Sequence, residues 1–151
     1  MWSLNRCLKR DEFYSDLSHP LATEIRVFLY AAMVKKVPYF ANVERSVILK
    51  VVSVLADEIF LRGDFLVREG ELGGEMYFLR RGTVAVFKRD NPNVVFTTLE
   101  DGTFFGEVGL QRGIKRTAMI QARSTCDTVS LRVSKTARMA YLTTMVLCRV
   151  N

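Results

Sequence analysis

The residues best placed for chemistry lie in one glycine-rich stretch, Phe105–Ala118, which leads into a strand-like run. Gly106 and Gly109 allow the backbone to approach a ligand closely, and a short helical turn over Glu107–Leu110 would direct unpaired N–H groups toward an anion. Arg116 adds a planar fork of donors with a permanent charge. The stretch therefore predicts a site that binds a phosphate.

Glu107 narrows the class of ligand. A carboxylate beside a bare phosphate or a nucleoside triphosphate would be repelled, whereas a sugar hydroxyl can donate a hydrogen bond to it. Glu107 and Arg116 together favour a ligand that carries a single phosphate charge and a free hydroxyl. Glu107 could alternatively stabilise the start of the helical turn through its carboxylate.

The sequence lacks the groups that most enzyme chemistry requires. It has one histidine, His19, and it offers no nucleophile with a base partner and no paired catalytic carboxylates. Its three cysteines, Cys7, Cys126 and Cys148, lack metal-ligand spacing and are expected to be reduced thiols in or near packed surfaces. We therefore expect a binding protein that is not an enzyme and needs no cofactor or metal.

Length and composition are those of one globular domain with a modest extension. The 151 residues are 49% hydrophobic and 25% charged, and no run is long and apolar enough to cross a bilayer. The N-terminus lacks the features of a signal peptide, so we expect an intracellular location. The net charge of +6 makes nucleic acid or an acidic membrane candidate partners. Because the basic residues are scattered, we favour a solvated surface that attracts an anionic ligand and expect no nucleic acid partner.

Helical periodicity dominates the first third of the chain. Helices are predicted over Lys9–Val37, with Asp11 as an N-cap and Pro20 in a first turn. Apolar residues recur with helical spacing at Leu21, Ile25, Phe28, Leu29 and Ala32, and these helices cannot bury that face on their own. A further helix is predicted over Asn42–Leu55, with Asn42 as its cap.

From Glu58 onward the pattern becomes that of short strands. Glycine-rich turns separate them, with Gly70 and Gly82 as turn glycines, and this favours a sandwich or jelly-roll barrel. The strand-like runs are Glu58–Leu61, Phe65–Val67, Glu75–Leu79, Thr83–Phe87, Val94–Leu99, Ala118–Ala122 and Thr128–Val133. A last helix is predicted from Ser134 to about Arg149.

These motifs resemble, in order, those of cyclic-nucleotide-binding domains. Phe105–Ala122 resembles the phosphate-binding cassette of that family. Three segments upstream of the cassette resemble the early strands of the family's domain: Gly63-Asp64, Arg68-Glu69-Gly70, and Met76-Tyr77-Phe78-Leu79 with Gly82. The resemblance implies an α+β, mainly β fold, an eight-stranded jelly-roll-like β-roll with helices at each end. It divides the chain into a helical linker with the first domain helix (1–56), the β-roll (57–133) with the cassette at 105–118, and a C-terminal helix (134–151).

The resemblance also implies a ligand, cAMP or cGMP, and its contacts. Arg116 would bind the phosphate and Glu107 the ribose hydroxyl, while Thr117 is either an ordinary strand residue or lies near the phosphate or a guanine edge. The expected ligand-binding residues are Phe105, Gly106, Glu107, Val108, Gly109, Leu110, Arg116, Thr117 and Ala118, joined by Thr97 and Leu99. Alternation makes Thr97 and Leu99, like Val84 and Val86, mostly core positions that could touch the purine.

The predicted helices before the roll, with the segment Lys36–Ala41, are similar to the linker of hyperpolarisation-activated and cyclic-nucleotide-gated ion channels. This implies a sensor on the cytosolic face of a membrane that regulates a cation channel, with the rest of the channel as a partner and a homo-tetramer as the assembly. The family's long C-terminal lid helix is expected to be reduced or absent. The alternatives are a module of the kinase regulatory-subunit type, a transcription regulator of the catabolite-activator type, for which the helix-turn-helix is missing, and an assembly domain with a vacant pocket.

Overall fold

A computed structural model describes residues 14–132 of the chain. The predicted cap at Asp11, the predicted helix from Ser134, and two of the cysteines, Cys7 and Cys148, lie outside these residues. The chain divides after Leu55 into two compact units.

In the part of the first unit that the structure describes, the elements from His19 onward are two α-helices and a short 3-10 turn. Helix α1 spans His19–Lys35, the 3-10 turn spans Pro38–Phe40, and helix α2 spans Arg45–Ser53. Pro20 lies in the first turn of α1, as predicted, where its missing N–H costs no hydrogen bond.

The two helices bury different residues from those with the clearest apolar spacing. Tyr30 and Val34 are the buried residues of α1, one turn apart on the same face. Phe28 of the predicted apolar face is 86% exposed, and Leu21 and Leu29 are also exposed. The expectation that these helices cannot bury this face on their own is therefore confirmed for these three residues.

The prediction for the second helix was wrong at both ends. Helix α2 begins at Arg45 after Glu44 rather than after Asn42, and no side chain caps it. Val54 leaves the helical conformation at φ −104° and ψ 2°, so the chain extends and Leu55 becomes the first residue of a strand.

Eight strands in two four-stranded sheets lie within residues 14–132, all in the second unit except for Leu55, the first residue of the first strand, and they confirm the mainly β, α+β fold. The strands are β1 (Leu55–Phe60), β2 (Phe65–Val67), β3 (Glu75–Arg81), β4 (Val84–Lys88), β5 (Asn91–Leu99), β6 (Phe104–Phe105), β7 (Met119–Ala122) and β8 (Cys126–Arg132). The strand orders are β1-β8-β3-β6 in one sheet and β2-β7-β4-β5 in the other. Helix α3 (Glu107–Arg112) lies between β6 and β7.

The inner faces of the two sheets share one hydrophobic core. Val67, Val84 and Ile120 contribute from one sheet, and Leu79 and Phe105 from the other. Cys126 belongs to the same cluster as a buried free thiol, as predicted for that cysteine.

All strands except β2 differ in their limits from the sequence-based expectation, and the differences are largest for β1, β5 and β6. Strand β1 begins at Leu55 rather than Glu58. Strand β6 was not recognised as a strand because it has only two residues, which pair with Tyr77 and Phe78 of β3. Strand β5 begins at Asn91 rather than Val94 and includes Pro92, which is compatible with its position at the end of the sheet.

The core assignment of Thr97 was also wrong. Thr97 pairs with Val86 but is exposed, because β5 has a neighbouring strand on one side and every residue of it except Leu99 is exposed. Leu99 is partly buried and packs against the core. Strand alternation therefore predicted the position of Leu99 correctly and that of Thr97 incorrectly.

Candidate functional site

The candidate site begins where β6 turns into helix α3. Gly106 is the N-cap of α3 and has φ 87° and ψ 4°, a left-handed conformation that favours glycine. Helix α3 continues to Arg112 and is followed by Gly113 at φ 61°. The helical turn predicted over Glu107–Leu110 is present and is two residues longer than expected.

A loop before β3 holds the backbone of Arg116 in place. The Arg116 N–H donates to the Glu71 carbonyl at 2.7 Å, and the Arg116 carbonyl accepts from the Gly70 N–H at 2.9 Å. Leu72 forms a β-bridge with Lys115. Arg116 therefore projects from a paired segment, which restricts the positions that its side chain can reach.

The guanidinium of Arg116 turns toward the backbone of the cassette. Its Nη1 donates to the Gly106 carbonyl at 3.1 Å, and its Nη2 donates to the carbonyl of Glu75, the first residue of β3. Burial lowers the pKa of Arg116, while the carboxylates of Glu75, Glu71 and Glu107 act in the opposite direction. The two hydrogen-bond acceptors are neutral, so this half-buried cation is electrostatically suited to an anion.

Two glycines make room for this side chain. A Cβ atom on Gly109 would lie 2.9 Å from Nη1 of Arg116, and one on Gly73 would lie 3.1 Å from its Cζ and 2.8 Å from the Cα of Gly109. Gly109 is predicted from the sequence to allow a ligand close to the backbone. In the structure, its lack of a side chain first makes room for the guanidinium of Arg116.

A charged pair supports the far side of the cassette. The Nζ atom of Lys88 donates to the Thr117 carbonyl and lies 3.4 Å from Oε1 of Glu69. Glu69 Oε2 also accepts from the Arg89 N–H at 2.9 Å, and this hydrogen bond, with the Lys88 charge, lowers the pKa of Glu69. The pair thereby connects the end of β4 to the residue that follows Arg116.

These elements enclose an open cavity of about 180 Å³. Seven of the predicted ligand-binding residues line it: Gly106, Glu107, Val108, Gly109, Arg116, Thr117 and Ala118. Glu107 lies in the first turn of α3, where the helix dipole favours a carboxylate. Its position is therefore compatible with both roles considered for it, helix stabilisation and contact with a hydroxyl.

The other four predicted residues lie elsewhere. Phe105 and Leu110 are buried and do not line the cavity, and neither do Thr97 and Leu99 on β5. The four lining residues that sequence reasoning missed are Val67, Ile114, Lys115 and Ile120. Alternation along β2 and β7 could have identified Val67 and Ile120, but only the pairing of these strands shows that they reach the cassette.

The cassette lies in a segment of the chain that matches a known protein family. A family model described as the cyclic nucleotide-binding domain matches residues 58–140, more than half of the chain. The chain belongs to the cyclic nucleotide-binding domain family. The cassette and the strands β2 to β8 all lie within the matched segment of this cyclic nucleotide-binding domain.

Several curated relatives of the domain are ion channels. It is 36% identical over 123 residues to a rabbit potassium/sodium hyperpolarization-activated cyclic nucleotide-gated channel 4. It is 35% identical to channel 2 from mouse and 37% identical to channel 3 from human over the same length. Each match covers 82% of this chain but only 10%, 14% and 16% of the respective relative. No helix within residues 14–132 is long and apolar enough to cross a membrane.

Proposed function

We propose that this domain binds cAMP or cGMP in the cassette and acts as a regulatory sensor, not as an enzyme. The observation that carries the proposal is the convergence of Arg116, Glu107 and the start of α3 on one cavity. A helix N-terminus and a guanidinium both attract a phosphate, and a carboxylate beside them accepts from a hydroxyl. A cyclic nucleotide carries both groups, with one phosphate charge.

Each group has a distinct role in the proposed complex. A guanidinium has five N–H donors. In Arg116, Nη1 and Nη2 each donate to one backbone carbonyl, so the remaining N–H donors are available for the phosphate. Glu107 accepts from the ribose 2′-hydroxyl, and the N–H groups of the first turn of α3 bind the phosphate oxygens. The cavity is smaller than the roughly 300 Å³ at the lower limit of typical ligand pockets. The sugar and phosphate therefore occupy it, and the base extends beyond it.

A direct titration tests the ligand assignment. A fluorescent cyclic nucleotide is titrated into the protein, and unlabelled cAMP and cGMP then compete for it, which also determines the preferred base. Arg116→Glu should weaken binding by more than 100-fold, because it replaces the cation by an anion beside the phosphate. Arg62→Glu is the matched control, since Arg62 is an exposed arginine outside the cavity. Equal affinities for Arg116→Glu and the unaltered protein would refute the assignment.

The channel role is the broader part of the proposal. The named relatives are cyclic nucleotide-gated channels, and we place this domain on the cytosolic side of such a channel as part of a tetramer. Ligand binding changes gating only if the ligand binds two arrangements of the domain with different affinity. Currents of the full-length channel recorded with and without cytosolic cAMP test the regulation, and light scattering tests assembly. A domain that assembles without binding either nucleotide would instead be an assembly module.

A further inference from the structure

Glu75 connects the candidate site to a second charged group outside the cavity. Its backbone carbonyl accepts from Nη2 of Arg116. Its carboxylate accepts from two other side chains, with Oε2 at 2.9 Å from Nε of Arg132 and Oε1 at 3.1 Å from the Tyr77 hydroxyl. The residue that supports the phosphate-binding arginine is therefore itself anchored by an ion pair.

Arg132 is well placed to provide that anchor. It lies directly opposite Glu75 in the antiparallel pairing of β3 and β8, so the pair spans two adjacent strands. Glu58 is a second carboxylate neighbour, with 3.6 Å between its Oε1 and Nη2 of Arg132, and it also accepts from the Ser130 hydroxyl. The two carboxylates raise the pKa of Arg132, so its charged form is stabilised.

Tyr77 extends the connection to the other acceptor of Arg116. Its ring stacks on Phe105 with 5.4 Å between centroids, and the two residues are paired between β3 and β6. The residue after Phe105 is Gly106, whose carbonyl accepts from Nη1 of Arg116. Both carbonyls that hold the guanidinium are thus linked to the Glu75 carboxylate.

We infer that Glu75 and Arg132 are positioning residues for ligand binding, acting through Arg116 from outside the cavity. The inference rests on the proposed function. The ion pair fixes the start of β3 and, with it, the carbonyl that orients Arg116. When the pair is intact, the guanidinium is held in one orientation before the ligand arrives. Binding then costs less conformational entropy of the Arg116 side chain.

Two variants and a matched control test this inference. Arg132→Gln and Glu75→Gln each remove the ion pair near the cassette. Arg80→Gln removes ion pairs with Asp57 and with Asp127, and the pair with Asp127 joins the same two strands at their other end. Arg80 is the less exposed arginine, with 18% of its side chain exposed against 66% for Arg132. Arg80→Gln should therefore lower the free energy of unfolding at least as much as Arg132→Gln does, although it acts at the other end of the strands from the Arg116 contact.

The first measurement is the affinity for a fluorescent cAMP analogue. Arg132→Gln should weaken binding about two- to five-fold, as expected for a partly exposed ion pair, and Arg80→Gln should leave it unchanged. The double variant with Glu75→Gln should lose less affinity than the sum of the two single losses, because both substitutions remove the same ion pair. Equal affinities for Arg132→Gln and Arg80→Gln, or additive losses in the double variant, would overturn the inference.

The second measurement needs no ligand and separates this inference from the proposed function. The Nη–H signal of Arg116, whose protons donate to the Gly106 and Glu75 carbonyls, is followed by nuclear magnetic resonance in the free protein and assigned with Arg116→Lys. It should exchange faster with solvent in Arg132→Gln but not in Arg80→Gln. An unaltered signal in Arg132→Gln refutes the positioning role. If the unaltered protein binds neither nucleotide, the proposed function fails, and this signal still decides whether Arg116 is positioned by the pair.

Discussion

Replacing Gly106 by alanine tests the geometry of the cassette most directly. Gly106 has φ 87°, and an added Cβ would lie 2.8 Å from Nη1 of Arg116, 3.0 Å from the Glu75 carbonyl and 3.3 Å from the Cα of Met76. The last two atoms belong to the backbone of β3, which is paired with β8. The side chain of Arg116 is therefore the group that must move.

The expected loss of stability has two parts. A left-handed conformation costs an alanine roughly 1–2 kcal/mol. Displacing the guanidinium of Arg116 removes a hydrogen bond to a charged group, which contributes about 1.5–3 kcal/mol. We expect the free energy of unfolding to fall by roughly 2.5–5 kcal/mol. Affinity for a cyclic nucleotide should fall at least about tenfold, because the phosphate loses an oriented partner.

Equilibrium urea unfolding, followed by circular dichroism, measures the first quantity, and nucleotide titration measures the second. Gly63→Ala is the matched control, since Gly63 has φ 97° and a Cβ there would meet no atom within 4 Å. The control should lose only the conformational part, about 1–2 kcal/mol, and retain its affinity. If both variants lose the same stability and keep the same affinity, the assigned position of Arg116 is wrong.

Three further predictions concern pH and burial. The pKa of Glu69 is lowered below its usual 4.5 by the hydrogen bond from the Arg89 N–H and by a neighbouring lysine. The stabilisation of the unaltered protein over Glu69→Gln should therefore be complete above pH 4.5 and disappear at lower pH in urea unfolding. Burial and nearby carboxylates raise the pKa of Tyr77 above its usual 10. Its phenol should stay protonated in an ultraviolet titration of the folded protein past pH 10, and the stability that it contributes should be lost as pH rises further. Phe28→Ser should change the free energy of unfolding by less than about 0.5 kcal/mol, whereas Tyr30→Ala should cost about 3–5 kcal/mol, because Tyr30 is buried and Phe28 is exposed.

Local sequence patterns predicted much of the fold. The limits of Phe65–Val67 were correct to the residue, and the turn glycines Gly70 and Gly82 have the positive φ angles that such turns require. The least accurate predictions were those that depended on a neighbour. Thr97 alternates like a core residue but lies on a strand at the end of its sheet, and Phe105 belongs to a strand too short to recognise.

The phosphate site in the cassette could also be predicted from the local sequence. Residues Gly106 to Ala118 are close in sequence, so their glycine spacing and charges predicted a phosphate site without knowledge of the fold. The identity of the chain as a cyclic nucleotide-binding domain followed from those motifs and agrees with the family match. Their binding roles remain predictions that the titration tests.

Composition and spacing by themselves determined that this chain forms short strands joined by glycine turns and carries an arginine and a glutamate suited to a phosphate and a hydroxyl. The tertiary structure decided where the arginine points. Arg116 binds carbonyls 10 and 41 residues away, and Glu75 meets Arg132 only because β3 and β8 are neighbours. Such contacts depend on strand order and register, which local propensity does not encode, because they arise only when distant segments pack against one core.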